Sequence, residues 1–190
     1  RDSVRVVEEL SARFPSFWVT HDFWLFTGRC AYSGSCKKYL TGCDASCPTA
    51  RSYPDLTPSK ISDAWKRKQS LLSSEHSPLL LANSSWSESR IIELLSVIRS
   101  DAASRVYRIQ LGAPVSLFKP LSKIESRCAL GIKTNHFVIA FSVSSLMEER
   151  KGGHYLVEAL RDIKLPDTSI ILIGNQDVPF NINGVEIVRL

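Results

Sequence analysis

Short apolar runs alternate with amphipathic stretches along most of the chain, and this alternation restricts the fold more than any other feature. Residues 16–20 (SFWVT), 78–82 (PLLLA), 106–111, 137–141 and 169–173 have the length and composition of strands, the first of them a short buried one. Val4, Val6, Val7 and Leu10 share a helical face that ends near Phe14-Pro15. Ile61, Trp65 and Leu72 share another, opened by Thr57-Pro58, a capping hydroxyl followed by proline at the first helical position. Ser85-Trp86-Ser87-Glu88 has capping-box spacing ahead of the stripe Ile91, Leu94, Leu95 and Ile98. Residues 154–163 form a further helix through Leu156, Leu160 and Ile163, and Gly174-Asn175-Gln176-Asp177 is expected to turn. Strands alternating with helices predict a parallel α/β fold.

One stretch escapes this pattern. Residues 21–56 show no sustained periodicity and are interrupted throughout by Gly, Ser, Cys, Tyr and Pro, and a loop of that length in a compact domain is usually functional or pinned. Four of the five cysteines, Cys30, Cys36, Cys43 and Cys47, fall inside it with the spacing C-x5-C-x6-C-x3-C. Four thiolates suffice for a tetrahedral structural zinc, although this is not a common zinc-finger spacing. Four reduced thiols without metal is the alternative, and either would pin the loop. Cys128 stands alone and is expected to be inert and partly buried.

The net charge of +5 suits phosphate-bearing partners or an anionic membrane surface and says nothing about fold. Lys60, Lys66, Arg67 and Lys68 concentrate the excess on one helix, most simply as a solvated face, with contact to anionic lipid as the weaker reading. No apolar run is long enough to span a bilayer as a helix. The chain opens on Arg1 and closes on a strand-like run at Val185, Ile187 and Val188, so it is expected to be an internal piece, incomplete at both ends.

The order His21-Asp22-Phe23-Trp24, Thr27-Gly28-Arg29-Cys30, Tyr32-Ser33-Gly34, Gly42-Cys43 and Cys47-Pro48 resembles a segment of glycosyltransferase family 4 enzymes from exopolysaccharide and colanic-acid-type pathways. Asn83-Ser84-Ser85-Trp86 is similar to that family's strand-to-helix step, and Gly112 with Phe118-Lys119-Pro120 to its interdomain connection. Arg150-Lys151-Gly152 resembles its donor-phosphate motif. The resemblance implies a GT-B architecture of two Rossmann-like domains. Residues 1–112 would belong to the acceptor-binding domain, 113–122 to the linker, and 123–190 to the start of the nucleotide-sugar domain. It implies a retaining transfer from a UDP- or GDP-sugar to a growing glycan, lipid-linked in many such systems. The setting would be cytoplasmic or peripheral at the inner membrane face, where disulfides are disfavoured. The piece alone is expected to be inactive.

The resemblance places His21 in the catalytic cleft, with Asp22 either orienting it or capping a turn. A histidine directly after a strand also stands where α/β sheets bind ligands. GT-B enzymes generally work without a catalytic metal, so cations must stabilise the departing diphosphate. Lys151 precedes a helix whose dipole disfavours a bare cation, which is easier to explain with an anion present. Arg150 and Gly152 complete that motif, the glycine allowing close approach of backbone amides. Trp18, Trp24, Trp65 and Trp86 are expected in the core, Trp24 being the one candidate sugar platform. The chain departs from the family at Ser145 and Leu146, where many members carry arginine. A non-catalytic sugar-binding or scaffold protein of the same fold is the alternative. A zinc-containing nucleic-acid module ranks last, because no recognition helix or aromatic-basic interleaving accompanies the cysteines, and nucleic acid is not expected as a partner.

Overall fold

The computed structural model describes residues 3–50, 54–145, 148–161, 164–175 and 185–190. The chain divides into two compact units, Arg1–Ala113 and Pro114–Leu190. In the first, β1 (Phe17–Thr20), β2 (Leu79–Ala82) and β3 (Val106–Arg108) form a parallel sheet in that order. Parallel neighbours need crossover connections, and these contain α2 (Ile61–Ser73) and α3 (Ser85–Ser96). α1 (Ser3–Ser11) precedes the sheet and is tied to α2 by the Arg67–Glu8 ion pair at 2.6 Å. Leu25, Leu72, Leu80, Ile91, Leu95 and Val106 are buried together. Each fully buried side chain of this size contributes about 1.5–3 kcal/mol. The first unit is α/β with a small parallel sheet, as the alternation predicts.

In the second unit β4 (Phe137–Ser145), β5 (Thr168–Asn175) and β6 (Glu186–Arg189) form another parallel sheet. α4 (Lys123–Ala129) precedes it and α5 (Gly153–Arg161) joins β4 to β5. Leu160, Ile170 and Leu172 form its buried centre, with Ile139, Phe141 and Leu156 packed against them. His136 Nδ1 lies 2.9 Å from the Ser169 hydroxyl, which donates to Glu186 at 2.9 Å, so one polar clip joins the starts of all three strands.

Several sequence expectations are corrected. The α3 capping box is one residue earlier than the Ser-x-x-Glu spacing suggests. Ser84 is extended and accepts from the Ser87 amide, and Ser87 answers to the Ser84 amide at 3.0 Å. Thr57 makes no side-chain cap; a 3-10 turn (Pro58–Lys60) leads into α2 instead. β1 is an edge strand rather than a buried one: Thr20 faces inward while Phe17 is 62% exposed. β3 stops at Arg108, short of 111, whereas β4 and β5 run beyond their apolar runs because backbone pairing continues through Ser145 and Asn175. Gly174 and Asn175 are therefore strand, not turn, and Gln176 and Asp177 lie outside the described residues. Ile163 and Leu146 also lie outside them. α4, capped by the Ser122 hydroxyl, has no clear apolar stripe and is not foreseen; it leaves Cys128 exposed. Among the described residues no helix is long and apolar enough to cross a membrane.

Candidate functional site

Parallel strands put the residues that follow them at one edge of the sheet, and here two such segments meet. His21 and Asp22 follow β1, and Asn83 and Ser84 follow β2. The Thr20 hydroxyl donates to Leu81 O at 2.9 Å, fixing the two strand ends side by side. Between them opens a cavity of about 370 Å³, within the range of small-molecule sites. His21, Asn83, Trp86 and Arg90 line it, with Tyr32 and Tyr39 from the cysteine-bearing loop.

Asp22 does not hydrogen-bond His21. Its Oδ1 accepts from the Trp24 amide at 2.8 Å, so this carboxylate caps the turn that leads His21 out of β1. Trp24 is turned inward, stacked on Trp18 with ring centroids 6.1 Å apart, and it does not line the cavity. Trp86 does: it is 67% exposed, with Phe23 edge-on to it at 5.6 Å. The indole that faces the cavity is thus that of Trp86, not Trp24. Arg90 stands one turn further along α3, donating to the Tyr39 hydroxyl at 2.7 Å and pairing with Glu93. The rule that singles out His21 also applies to the residues after 78–82. Arg90 follows from the four-residue spacing to Trp86, but only if that face is known to look outward.

The loop behind the cavity is held by a buried cation. Lys68 is 1% exposed, not part of a solvated basic face, and donates to the carbonyls of Trp24 (2.8 Å), Thr27 (3.0 Å) and Gly28 (3.5 Å). Its ammonium also sits 3.5 Å from the centre of the Trp24 ring. Burial pushes its pKa down to about 7. Lys60 and Lys66 of the same basic run are exposed. Gly28 is where the loop meets α2: a Cβ there would lie 2.6 Å from Ile61 Cγ2 and 2.7 Å from Cys43 Cβ.

The four loop cysteines, all free, line a second cavity of about 10 Å³, and Ser33 and Tyr39 belong to the lining of both cavities. Burial raises the pKa of the Cys43 thiol. Among the described residues no three His, Cys, Asp or Glu side chains are placed to hold a metal ion.

The second unit presents the other predicted residues after β4. Glu148 accepts from the Ser144 hydroxyl at 2.8 Å and pairs with Arg150 at 2.5 Å. The Ser144 hydrogen bond, then the Arg150 charge, hold its carboxyl below the usual glutamate range. Lys151 is exposed in the 3-10 turn, its amide donating to Glu148 O at 2.9 Å. Gly152 follows at φ +75°, a left-handed conformation that favours glycine and sets the chain into α5. Arg150, Lys151 and Gly152 thus stand at the carboxyl end of a parallel strand and ahead of a helix, the place such sheets use for ligands.

No family model matches the chain, and no solved structure matches it. Over 56 residues, 28% of this chain and 14% of the other protein's length, it is 41% identical to the "Putative colanic acid biosynthesis glycosyl transferase WcaC" of Escherichia coli (strain K12).

Proposed function

We propose that the chain belongs to a glycosyltransferase of the GT-B type, the His21 cavity receiving the sugar acceptor and the turn at Lys151 receiving the donor diphosphate. The observation that carries this reading is the cavity itself. It lies at the carboxyl ends of two parallel strands, and it combines an imidazole, an amide, a guanidinium and an exposed indole. Sugar rings are bound by that mixture of hydrogen-bonding groups and an aromatic face. The partial similarity to a glycosyl transferase supports the same class.

In the proposed reaction the bond between the donor sugar and the nucleoside diphosphate breaks, and the diphosphate leaves with the electron pair. The acceptor hydroxyl oxygen forms the new bond with retention of configuration, and its proton passes to the departing phosphate oxygen. His21 hydrogen-bonds the reacting sugars. Lys151 and Arg150 offset the charge that grows on the diphosphate, and the Gly152 region lets backbone amides approach it. The donor is a UDP- or GDP-sugar and the acceptor a growing, lipid-linked glycan at the inner membrane face.

Release of nucleoside diphosphate by the full-length parent protein, across a panel of nucleotide sugars with a lipid-linked glycan acceptor, tests this. His21→Ala and Lys151→Ala should each lower release by about 10²–10³-fold, the scale of losing one transition-state contact. Release that survives either change removes that residue from the mechanism. Glycan binding without release from any donor would favour the non-catalytic sugar-binding protein.

A further inference from the structure

The edge of the first sheet opposite the His21 cavity holds a further opening, which the proposed transfer does not use. It lies at the amino ends of all three strands and measures about 380 Å³, the size of a small-molecule site. Ser11, the last residue of α1, lines it together with Arg13 and Phe14 from the turn into β1. Glu75, His76 and Ser77 line it from the turn into β2, and Arg105 from the 3-10 turn Ala102–Arg105 ahead of β3.

This lining carries unmet hydrogen-bonding capacity. Among the described residues two buried side-chain polar atoms have no hydrogen-bond partner, Ser11 Oγ and Arg105 Nε, and both residues line this one cavity. Ser11 is only 8% exposed. Such atoms are rare in folded proteins because each has given up its bonds to water, so two in one cavity call for an occupant that offers acceptors.

The charges give a second, independent pointer. The ionisable groups of the lining are Arg13, Arg105, His76 and Glu75. Glu75 is turned to solvent, its side chain 87% exposed, and meets His76 at 3.4 Å. Asp101 also feels the charge of Arg105, but its carboxylate is held by the Arg99 guanidinium and lies outside the lining. Among the described residues no carboxylate pairs with Arg13, which is exposed, and the Nη2 of Arg105 donates to Ser77 O. The last carbonyls of α2 would repel an anion, yet Arg99 covers two of them, donating to Leu72 O at 2.8 Å and Ser74 O at 3.3 Å. Two arginines therefore face one carboxylate across the opening. Phe14 and Phe17, each 62% exposed, add apolar surface to the same lining.

We propose that this cavity binds an organic phosphate monoester. Its three terminal oxygens accept from Arg105 Nε, the Arg13 guanidinium and the Ser11 hydroxyl, one for each donor, and its organic part lies against Phe14 and Phe17. A soluble phosphate ester and the headgroup of a phosphatidic acid share this chemistry. The site stands at the opposite ends of the strands from His21, so its occupancy does not depend on the transfer reading.

The test reads binding rather than transfer. The full-length protein is titrated with glucose 1-phosphate by calorimetry and, in a parallel arm, floated with phosphatidylcholine vesicles with and without phosphatidic acid. Both arms are repeated with Arg13→Gln, Ser11→Ala and Lys151→Ala, the last to separate this site from the proposed donor site. The expected result is binding in at least one arm, weakened about tenfold by Arg13→Gln and by Ser11→Ala and unchanged by Lys151→Ala. The arm that responds identifies the ligand as soluble ester or lipid. Ser11→Ala should also leave the melting temperature of the free protein no lower, because its hydroxyl has no partner to lose. No binding in either arm, binding indifferent to Arg13→Gln and Ser11→Ala, or binding lost through Lys151→Ala alone would overturn the proposal. Arg13 is exposed, so its variant is expected to fold and keeps the test decisive should Ser11→Ala fail to fold.

Discussion

At the scale of single residues, Gly28 and Trp86 are tightly specified for opposite reasons. Gly28 has no room: a methyl group there meets Ile61 Cγ2 at 2.6 Å and Cys43 Cβ, the latter fixed to backbone. Gly28→Ala should cost about 1–3 kcal/mol through overpacking, seen as a lower denaturant midpoint of the first unit, and an unchanged midpoint would show that the loop can move off α2. Trp86 has space on one side. Its indole is supported by Phe23 and open to the cavity, so Trp86→Ala should weaken glycan binding with little loss of stability. Calorimetry with oligosaccharides and a melting curve check both halves; unchanged affinity would exclude the platform role. Neither property is visible in the letters alone. A Thr-Gly pair marks a turn, but the methyl-sized contact with Ile61 lies 33 positions away in sequence. A tryptophan beside a capping serine looks like a core residue until the facing elements are known.

At the scale of elements, the turns after the strands hold the candidate groups. The reciprocal Ser84–Ser87 pair fixes the start of α3 and so the bearing of Trp86 and Arg90. Ser84→Ala should destabilise by about 1 kcal/mol, measured by denaturation, whereas Ser85→Ala, outside the cap, should be near neutral. After β4, the carboxylate of Glu148 organises the turn that presents Lys151. Because its folded pKa is lowered, the stabilisation it provides is present above the ordinary glutamate pKa and is lost as pH falls through the lowered value. A carboxyl-carbon titration by NMR should show Glu148 ionised to lower pH than an ordinary glutamate. Ser144→Ala, which removes the largest cause, should move it back toward the ordinary range.

At the scale of the whole molecule, two parallel sheets carry two separate buried centres, with no residue common to both. Leu111, Val115, Leu117, Phe118 and Leu121 are exposed between them, in a segment without helix or strand. Limited chymotryptic digestion should cleave first after Leu117 or Phe118 and leave the first unit folded by circular dichroism. First cuts within residues 21–50 would instead show the cysteine loop to be the weaker point.

What the sequence determined by itself is the local and periodic part. The apolar spacing dictates which segments are strands and which are helices, and their alternation dictates parallel sheets, since each choice depends on neighbours a few residues away. The position of His21 after a strand and of Lys151 before a helix followed from the same local rules. What only the tertiary structure decided are the long-range pairings. It turned Trp24 inward and Trp86 outward, buried Lys68 among the carbonyls of a loop some forty residues away, and committed Asp22 to its own turn. It also brought four thiols to one cavity. These depend on which surfaces meet, and burial, unlike propensity, is a property of a packed pair of elements rather than of either alone.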